Sequence, residues 1–288
     1  MSELEKKGES EKGGNTIVSV FLSFLLSVFL LITFATLIIY GFVLSGNVII
    51  ASLSVVNYHE GVYEQLRDSI GDTLLPTGLP HSIIDGAFTS DDVYADLNEY
   101  VASMFANYLP TLYRDSIAER LNDNIDYHLL EMGLSRAEVG DETIAEIVSA
   151  VIDNYNDYLR PPFLSYIARV RVVFSTHLRL LIAMGFVATL ITTGIIYLVS
   201  RRAKHFAFRY FALSFGATAL MMTAAPLALR IWGGYRRVEI SLEFVYNFVV
   251  RHIDRAIAAF LVVGAIFALL YLIFIIISAR SRRKMLQA

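Results

Sequence analysis

The sequence predicts an all-α membrane protein: four transmembrane helices with an extracytoplasmic helical domain inserted between spans one and two. Three observations carry that expectation. Of 288 residues, 56% are apolar and 18% charged, against about 45–50% apolar in a soluble domain. Four long runs contain no Asp, Glu, Lys or Arg. Between the first two of these lies a polar, acidic stretch whose apolar residues recur at helical rather than strand-like intervals.

The first uncharged run extends from residue 13 to residue 58, whereas about 20 residues cross a hydrocarbon core roughly 30 Å thick. Span one is therefore set at 16–44, after a disordered cytoplasmic leader at 1–15, with a kink expected at Ser45-Gly46-Asn47. The length of the run, the acids Glu3, Glu5, Glu9 and Glu11 in the leader, and the lack of a small-x-small cleavage site describe an uncleaved signal anchor. Spans two, three and four fall at 178–200, 210–229 and 256–279. A basic cytoplasmic loop at 201–209, an outer loop at 230–255 and a basic cytoplasmic tail at 280–288 complete the chain. Lys6, Lys7, Lys12, Arg201, Arg202, Lys204, Arg209, Arg280, Arg282, Arg283 and Lys284 all fall on one side, so both termini are expected in the cytoplasm of a multi-pass cell (plasma) membrane protein. The outer loop breaks the rule with Arg230, Arg236, Arg237, Arg251 and Arg255.

The extracytoplasmic helical domain is expected over 45–177. Its residues 57–177 hold 7 Arg, no Lys and 20 Asp or Glu, a balance of -13. Ile49, Leu53, Val56, Tyr63, Leu66 and Ile70 mark one amphipathic helix leaving the membrane. Leu75 to Pro80 read as a loop. Thr89-Ser90 ahead of Asp91 and Asp92 start a second helix, with Val93, Leu97, Val101, Met104 and Tyr108 as its stripe. Pro110 allows a turn into a third, on which Tyr113, Ile117, Leu121, Ile125 and Met132 share a face and which Gly133 ends. Ser135 and Glu138 fit a capping box for the fourth, carrying Ile144, Ile147, Val148, Val151, Tyr155 and Tyr158. Pro161-Pro162 stops it, and from Phe163 one helix is expected to run through Arg169 and Arg171 into span two.

The chemistry is defined largely by what the sequence lacks. With no Cys, disulfides, Cys-ligated zinc, iron–sulfur clusters and thiol nucleophiles are excluded, and a net charge of -3 gives no basic footprint for nucleic acid. His59-Glu60 opens like a zinc-protease motif, but Tyr63 stands where the second His is needed. Asp91, Asp92 and Asp96 lack the alternating ligands, Gly and Glu of a calcium loop, and read as the acidic start of a helix. No Gly-x-Ser-x-Gly elbow or phosphate loop occurs. Neither catalytic residues nor a cofactor or metal are therefore expected. The span interiors carry no ionisable residue, which argues against a coupled transporter. They do carry small residues at packing intervals: Ser19, Ser23 and Ser27; Ala212 and Gly216; Gly264 and Ala268. These serve either packing among the spans or association with a second helix, and Pro226 is expected to kink span three.

Leu75-Pro-Thr-Gly-Leu-Pro80, Pro161-Pro-Phe-Leu-Ser-Tyr166 and Ser241-Leu-Glu-Phe-Val-Tyr246, in this order of spans, resemble uncharacterised four-span integral membrane proteins of Gram-positive-type bacteria. The resemblance covers nearly the whole chain and implies a helical extracytoplasmic domain after the first span, but no activity. The order of spans is also similar to that of permease subunits of the cell-division and macrolide-export type. The expected function is a non-enzymatic membrane protein whose acidic outer domain binds a ligand or protein partner, in sensing or assembly. The alternative is a permease-like subunit driven by a cytoplasmic ATPase, docking through 201–209 or the tail. Expected partners are the lipid bilayer and a protein, or a second copy through the small-residue faces; nucleic acid is not among them. Interaction residues are sought in the outer loop, at Arg236, Arg237 and Arg251. There Ser241 is expected to cap an interfacial helix with Leu242, Val245, Tyr246, Val249 and Ile253 on one side. Its arginines would meet either the acidic domain or lipid phosphates.

Overall fold

A computed structural model describes residues 3–77, 79–106, 115–200 and 204–286. Among them all regular elements are helical, and Asp85 and Phe88 form one isolated bridge. Four helices are long and apolar enough to cross a membrane: Ile17–Val43, Phe163–Val199, Phe206–Arg236 and Glu243–Ser281. Each overlaps one of the four uncharged runs, because an apolar run that excludes charge also favours continuous helix.

Helix α1 covers Glu3–Ile38, so the leader expected to be disordered is helical from residue 3. A π-helical turn, Ile39–Val43, follows. The chain breaks at the expected kink, where Ser45 precedes α2 (Gly46–Val55). The single amphipathic helix expected next is divided, because Asn57 adopts a left-handed φ of 50° before α3 (Tyr58–Leu74); Asn tolerates that conformation better than most residues. Helix α4 (Ser90–Phe105) starts where its residues dictate. Thr89 accepts from the Asp92 N–H, and the Asp92 carboxylate accepts from the Thr89 N–H at 2.9 Å. Tyr108, Pro110 and Tyr113 lie outside the described residues.

Helix α5 is Asp115–Glu131, and Ile117, Leu121, Ile125 and Leu129 are its buried face; Met132, expected there, is exposed. The Ser135–Glu138 box forms, but it opens only a one-turn helix, α6 (Arg136–Val139). Gly140, at φ 92°, then redirects the chain into α7 (Asp141–Tyr158). Helix α8 (Pro162–Val199) begins at Pro162 and runs unbroken into span two, since a first-turn proline has no intrahelical bond to lose. Helix α9 is Lys204–Trp232 and contains Pro226. Helix α10, Glu243–Leu286, joins the interfacial helix and span four, expected as separate elements, into one of 44 residues. No Gly or Pro stands between Glu243 and Val263 to part them.

The chain divides into two compact units. One comprises Leu44–Val173 and Val238–His252. In this helical unit the fully buried Val62, Leu66, Ile70 and Leu74 of α3 meet the stripes of α4, α5 and α7 around Phe88 and Tyr155. The spacing of four explains the burial, because such residues line one side of a helix. The other unit comprises Met1–Val43, Phe174–Arg237 and Ile253–Ala288. In this span unit α1 and α9 pack through Ser19, Ser23 and Ser27, all buried, with Ser214 and Thr218 facing them. The Ser214 hydroxyl donates to the Ser23 carbonyl at 2.8 Å, and that of Thr218 to the Ser27 carbonyl at 3.3 Å.

Candidate functional site

A cleft of about 430 Å³ opens in the helical unit between the end of α3, the end of α5 and the start of α7. This is within the range of about 300–1,000 Å³ typical of ligand sites. Its floor is apolar, with Leu74, Leu129 and Ile144 buried. Met132 and Leu134, at the mouth, are 45% and 44% exposed. Among the described residues Glu146 is the single charged one lining it, beside Thr73, Thr77 and Thr143.

Local sequence builds the mouth. Gly133, at φ 71°, terminates α5, and the Leu134 N–H donates back to the Leu129 carbonyl at 2.9 Å. That i to i-5 bond is a Schellman closure, which needs a residue without a Cβ at the left-handed position. The Glu138 carboxylate then accepts from the backbone N–H and the hydroxyl of Ser135 at 2.6 and 2.9 Å. These bonds, the backbone one first, hold its pKa below the usual carboxylate range. Arg136 ties the rim together, donating to Asp126 at 2.7 Å, Asp141 at 2.9 Å and Asn122 at 3.1 Å. Glu142 and Glu146 form no ion pair among the described residues. The cleft therefore suits an apolar body, with the Glu146 carboxylate placed to favour a cation. Among the described residues no group of three or more His, Asp or Glu could hold a metal ion.

The acids singled out from the sequence serve the fold instead. Asp92 caps α4; burial raises its pKa, but the Thr89 bonds and Arg120 outweigh that and leave it lowered. Asp96 is fully buried and accepts from the Tyr155 hydroxyl at 2.6 Å. His59 stacks edge-on against Tyr94.

Of the arginines singled out in 230–255, Arg236 and Arg237 belong to the span unit and Arg251 to the helical unit. Arg236 donates to both carboxylate oxygens of Asp254 at 3.0 Å, and the Tyr235 hydroxyl donates to the same group at 2.5 Å. Arg237 is exposed in the same turn. Arg251 is exposed on the part of α10 that belongs to the helical unit. Asp254, the partner of Arg236, stands on α10. What packs against the helical core is an apolar face: Phe248 is buried, with Phe244, Val245 and Val249 beside it. Ser241 does not cap this helix, which opens at Glu243, and Leu242 is exposed. Tyr58 receives Phe244 edge-on at 5.0 Å, and Phe163 lies 5.4 Å from Phe248. Gly61 makes room, since a Cβ there would stand 2.6 Å from the Phe244 ring. Burial in this cluster raises the Tyr58 pKa. Gly61 was the available sequence signal for this contact: a glycine inside a helical stripe marks a close approach.

The cytoplasmic docking loop expected at 201–209 lies partly outside the described residues, which resume at 204. No family model, no curated protein sequence and no solved structure matches the chain.

Proposed function

We propose that this chain is a non-enzymatic, multi-pass protein of the cell (plasma) membrane, akin to the four-span bacterial proteins it resembles. Both termini lie in the cytoplasm and the acidic helical domain lies outside, where its cleft binds a ligand or a protein partner in sensing or assembly. The observation that supports this reading is the cleft itself, an apolar floor with exposed apolar lips in a segment otherwise rich in acids. The lysine distribution supports the orientation.

Two measurements test it. Single cysteines at Ser10, Ser149 and Gln287 of this Cys-free chain, exposed to an impermeant maleimide on whole cells, should be labelled only at 149; labelling at 10 or 287 would reverse the topology. A benzophenone attached at Met132→Cys should yield a discrete adduct in native membranes, and Ala150→Trp, which fills the cleft from α7, should abolish it. An adduct that survives Ala150→Trp rejects the cleft as the site. An ATPase recovered as the stable partner in place of a cleft adduct would favour the permease-like subunit.

A further inference from the structure

The turn at the end of α9 concentrates positive charge where the two segments of its unit that surround it in the sequence supply a single acid, the unit's other four, Glu3, Glu5, Glu9 and Glu11, lying in the N-terminal leader. From 174 to 237 the sequence has no Asp or Glu, and from 253 to 288 it has Asp254 alone. Against that one acid stand Arg230, Arg236, Arg237 and Arg255, all within the span unit. Asp254 is hydrogen-bonded by Tyr235 and Arg236, and Arg230 adds a longer-range attraction to the same carboxylate. Arg230 and Arg237 are exposed and form no ion pair among the described residues.

The turn is also built to present an apolar group beside those cations. Gly233, at φ 62°, closes α9, and the Arg236 and Arg237 N–H groups donate to the carbonyls of Gly233 and Gly234 at 3.0 Å each. The Trp232 indole lies against Gly234, where a Cβ would stand only 2.2 Å from the ring. Trp232 nevertheless remains 68% exposed, and Ile231 beside it 77%. At 1.5 Å per residue the 29-residue α9 is about 43 Å long, so its end lies near the boundary of a hydrocarbon core of roughly 30 Å. An exposed indole at a span end is the usual interfacial anchor. Guanidinium, planar and weakly hydrated, pairs with phosphate bidentately where ammonium does not, and residues 205–283 contain no Lys.

We propose that this turn binds the phosphate of an anionic glycerophospholipid, with Arg230 and Arg237 as its ligands and Trp232 as its apolar anchor. The Tyr235–Asp254–Arg236 contacts hold the turn in shape. The site is independent of the cleft and of the orientation of the spans.

Trp232 is the only tryptophan of the chain, so its emission reports the site directly. The full chain in micelles should be titrated with phosphatidylglycerol or phosphatidylcholine, each carrying brominated acyl chains. Quenching is expected at a lower mole fraction of phosphatidylglycerol. Arg230→Gln and Arg237→Gln should each raise the half-quenching fraction roughly fivefold, with helicity unchanged because neither has an ion pair to lose. Arg209→Gln, at the other end of α9, should leave the curve unmoved. Identical curves for the two lipids, or an unchanged curve in the double variant, would overturn the proposal. Relief of quenching by inorganic phosphate at constant ionic strength would overturn a lipid as the source and leave a free anion site.

Discussion

The buried face of α5 is Ile117, Leu121, Ile125 and Leu129, whereas the seam between α1 and α9 is Ser19, Ser23 and Ser27 against Ser214 and Thr218. Both are helix contacts, made from opposite residue types. A helix packing in water gains about 25 cal/mol for each Å² of apolar surface it buries, so large aliphatic side chains are the useful ones. Between helices long and apolar enough for lipid, that gain disappears. What remains is close approach and the satisfaction of hydroxyls by neighbouring carbonyls. Accordingly the span unit leaves many large side chains outward, Leu190 and Met184 among them, and buries its serine seam beside a smaller apolar cluster that includes Leu26, Leu30, Ile196 and Phe267. The helical unit should fail when volume is removed, and the span unit when volume is added.

The largest effect is expected from Leu121→Ala. Leu121, on α5, is fully buried in the core of the helical unit, and the cavity should cost about 3 kcal/mol, read as a lower denaturation midpoint of that unit. A loss below about 1 kcal/mol would mean the core can collapse around the gap. Gly185→Val is the converse test. A Cβ at 185 would stand 2.1 Å from the Thr33 hydroxyl, so the added bulk should cost about 2 kcal/mol, seen as a lower melting temperature in detergent, while Leu190→Ala on the exposed side should change little.

Acid titration separates the units without mutation. The Asp92 and Glu138 carboxyls both titrate below their ordinary values in the folded chain. Their contribution is complete above the unfolded pKa and is lost as pH falls through the lower folded one. The helical unit should therefore weaken below the ordinary carboxylate range, with Glu138→Gln flattening that limb of the far-UV profile. An acid limb identical in the variant would show that the Ser135 bonds do not carry the shift. The smallest effect is expected at Ser214→Ala. It removes the bond to the Ser23 carbonyl, worth about 0.6 kcal/mol in a membrane, and leaves a close contact intact. A loss of several times that size would mean the hydroxyls rather than the approach hold the seam.

Local features of the fold were legible in the residues alone. The uncharged runs located four helices long and apolar enough to cross a membrane, because charge is costly in hydrocarbon, and α8 was legible through its Pro161-Pro162 start. Thr89 with Asp92 marked the start of α4 because a cap and its partner lie within one turn. The Ser135–Glu138 box was equally legible and equally formed, but its reach ends with that turn, and Gly140 decides where α7 begins. The cleft was not legible: Leu74, Leu129 and Leu134 read as ordinary stripe or turn residues, and only the Gly133 closure sets them around a gap.

Composition and periodicity determine which face of a helix is apolar, because that depends on 3.6 residues per turn and nothing else. They leave open what that face meets. Tertiary structure decided that Phe244 and Phe248 pack on Tyr58 and Phe163, that the serine stripe of α1 serves α9, and that Arg236 pairs with Asp254. The residues in the first two of these contacts are many tens of positions apart or more in the chain. Their pairing depends on shape and on the free energy of competing partners, neither of which a single helical pattern encodes.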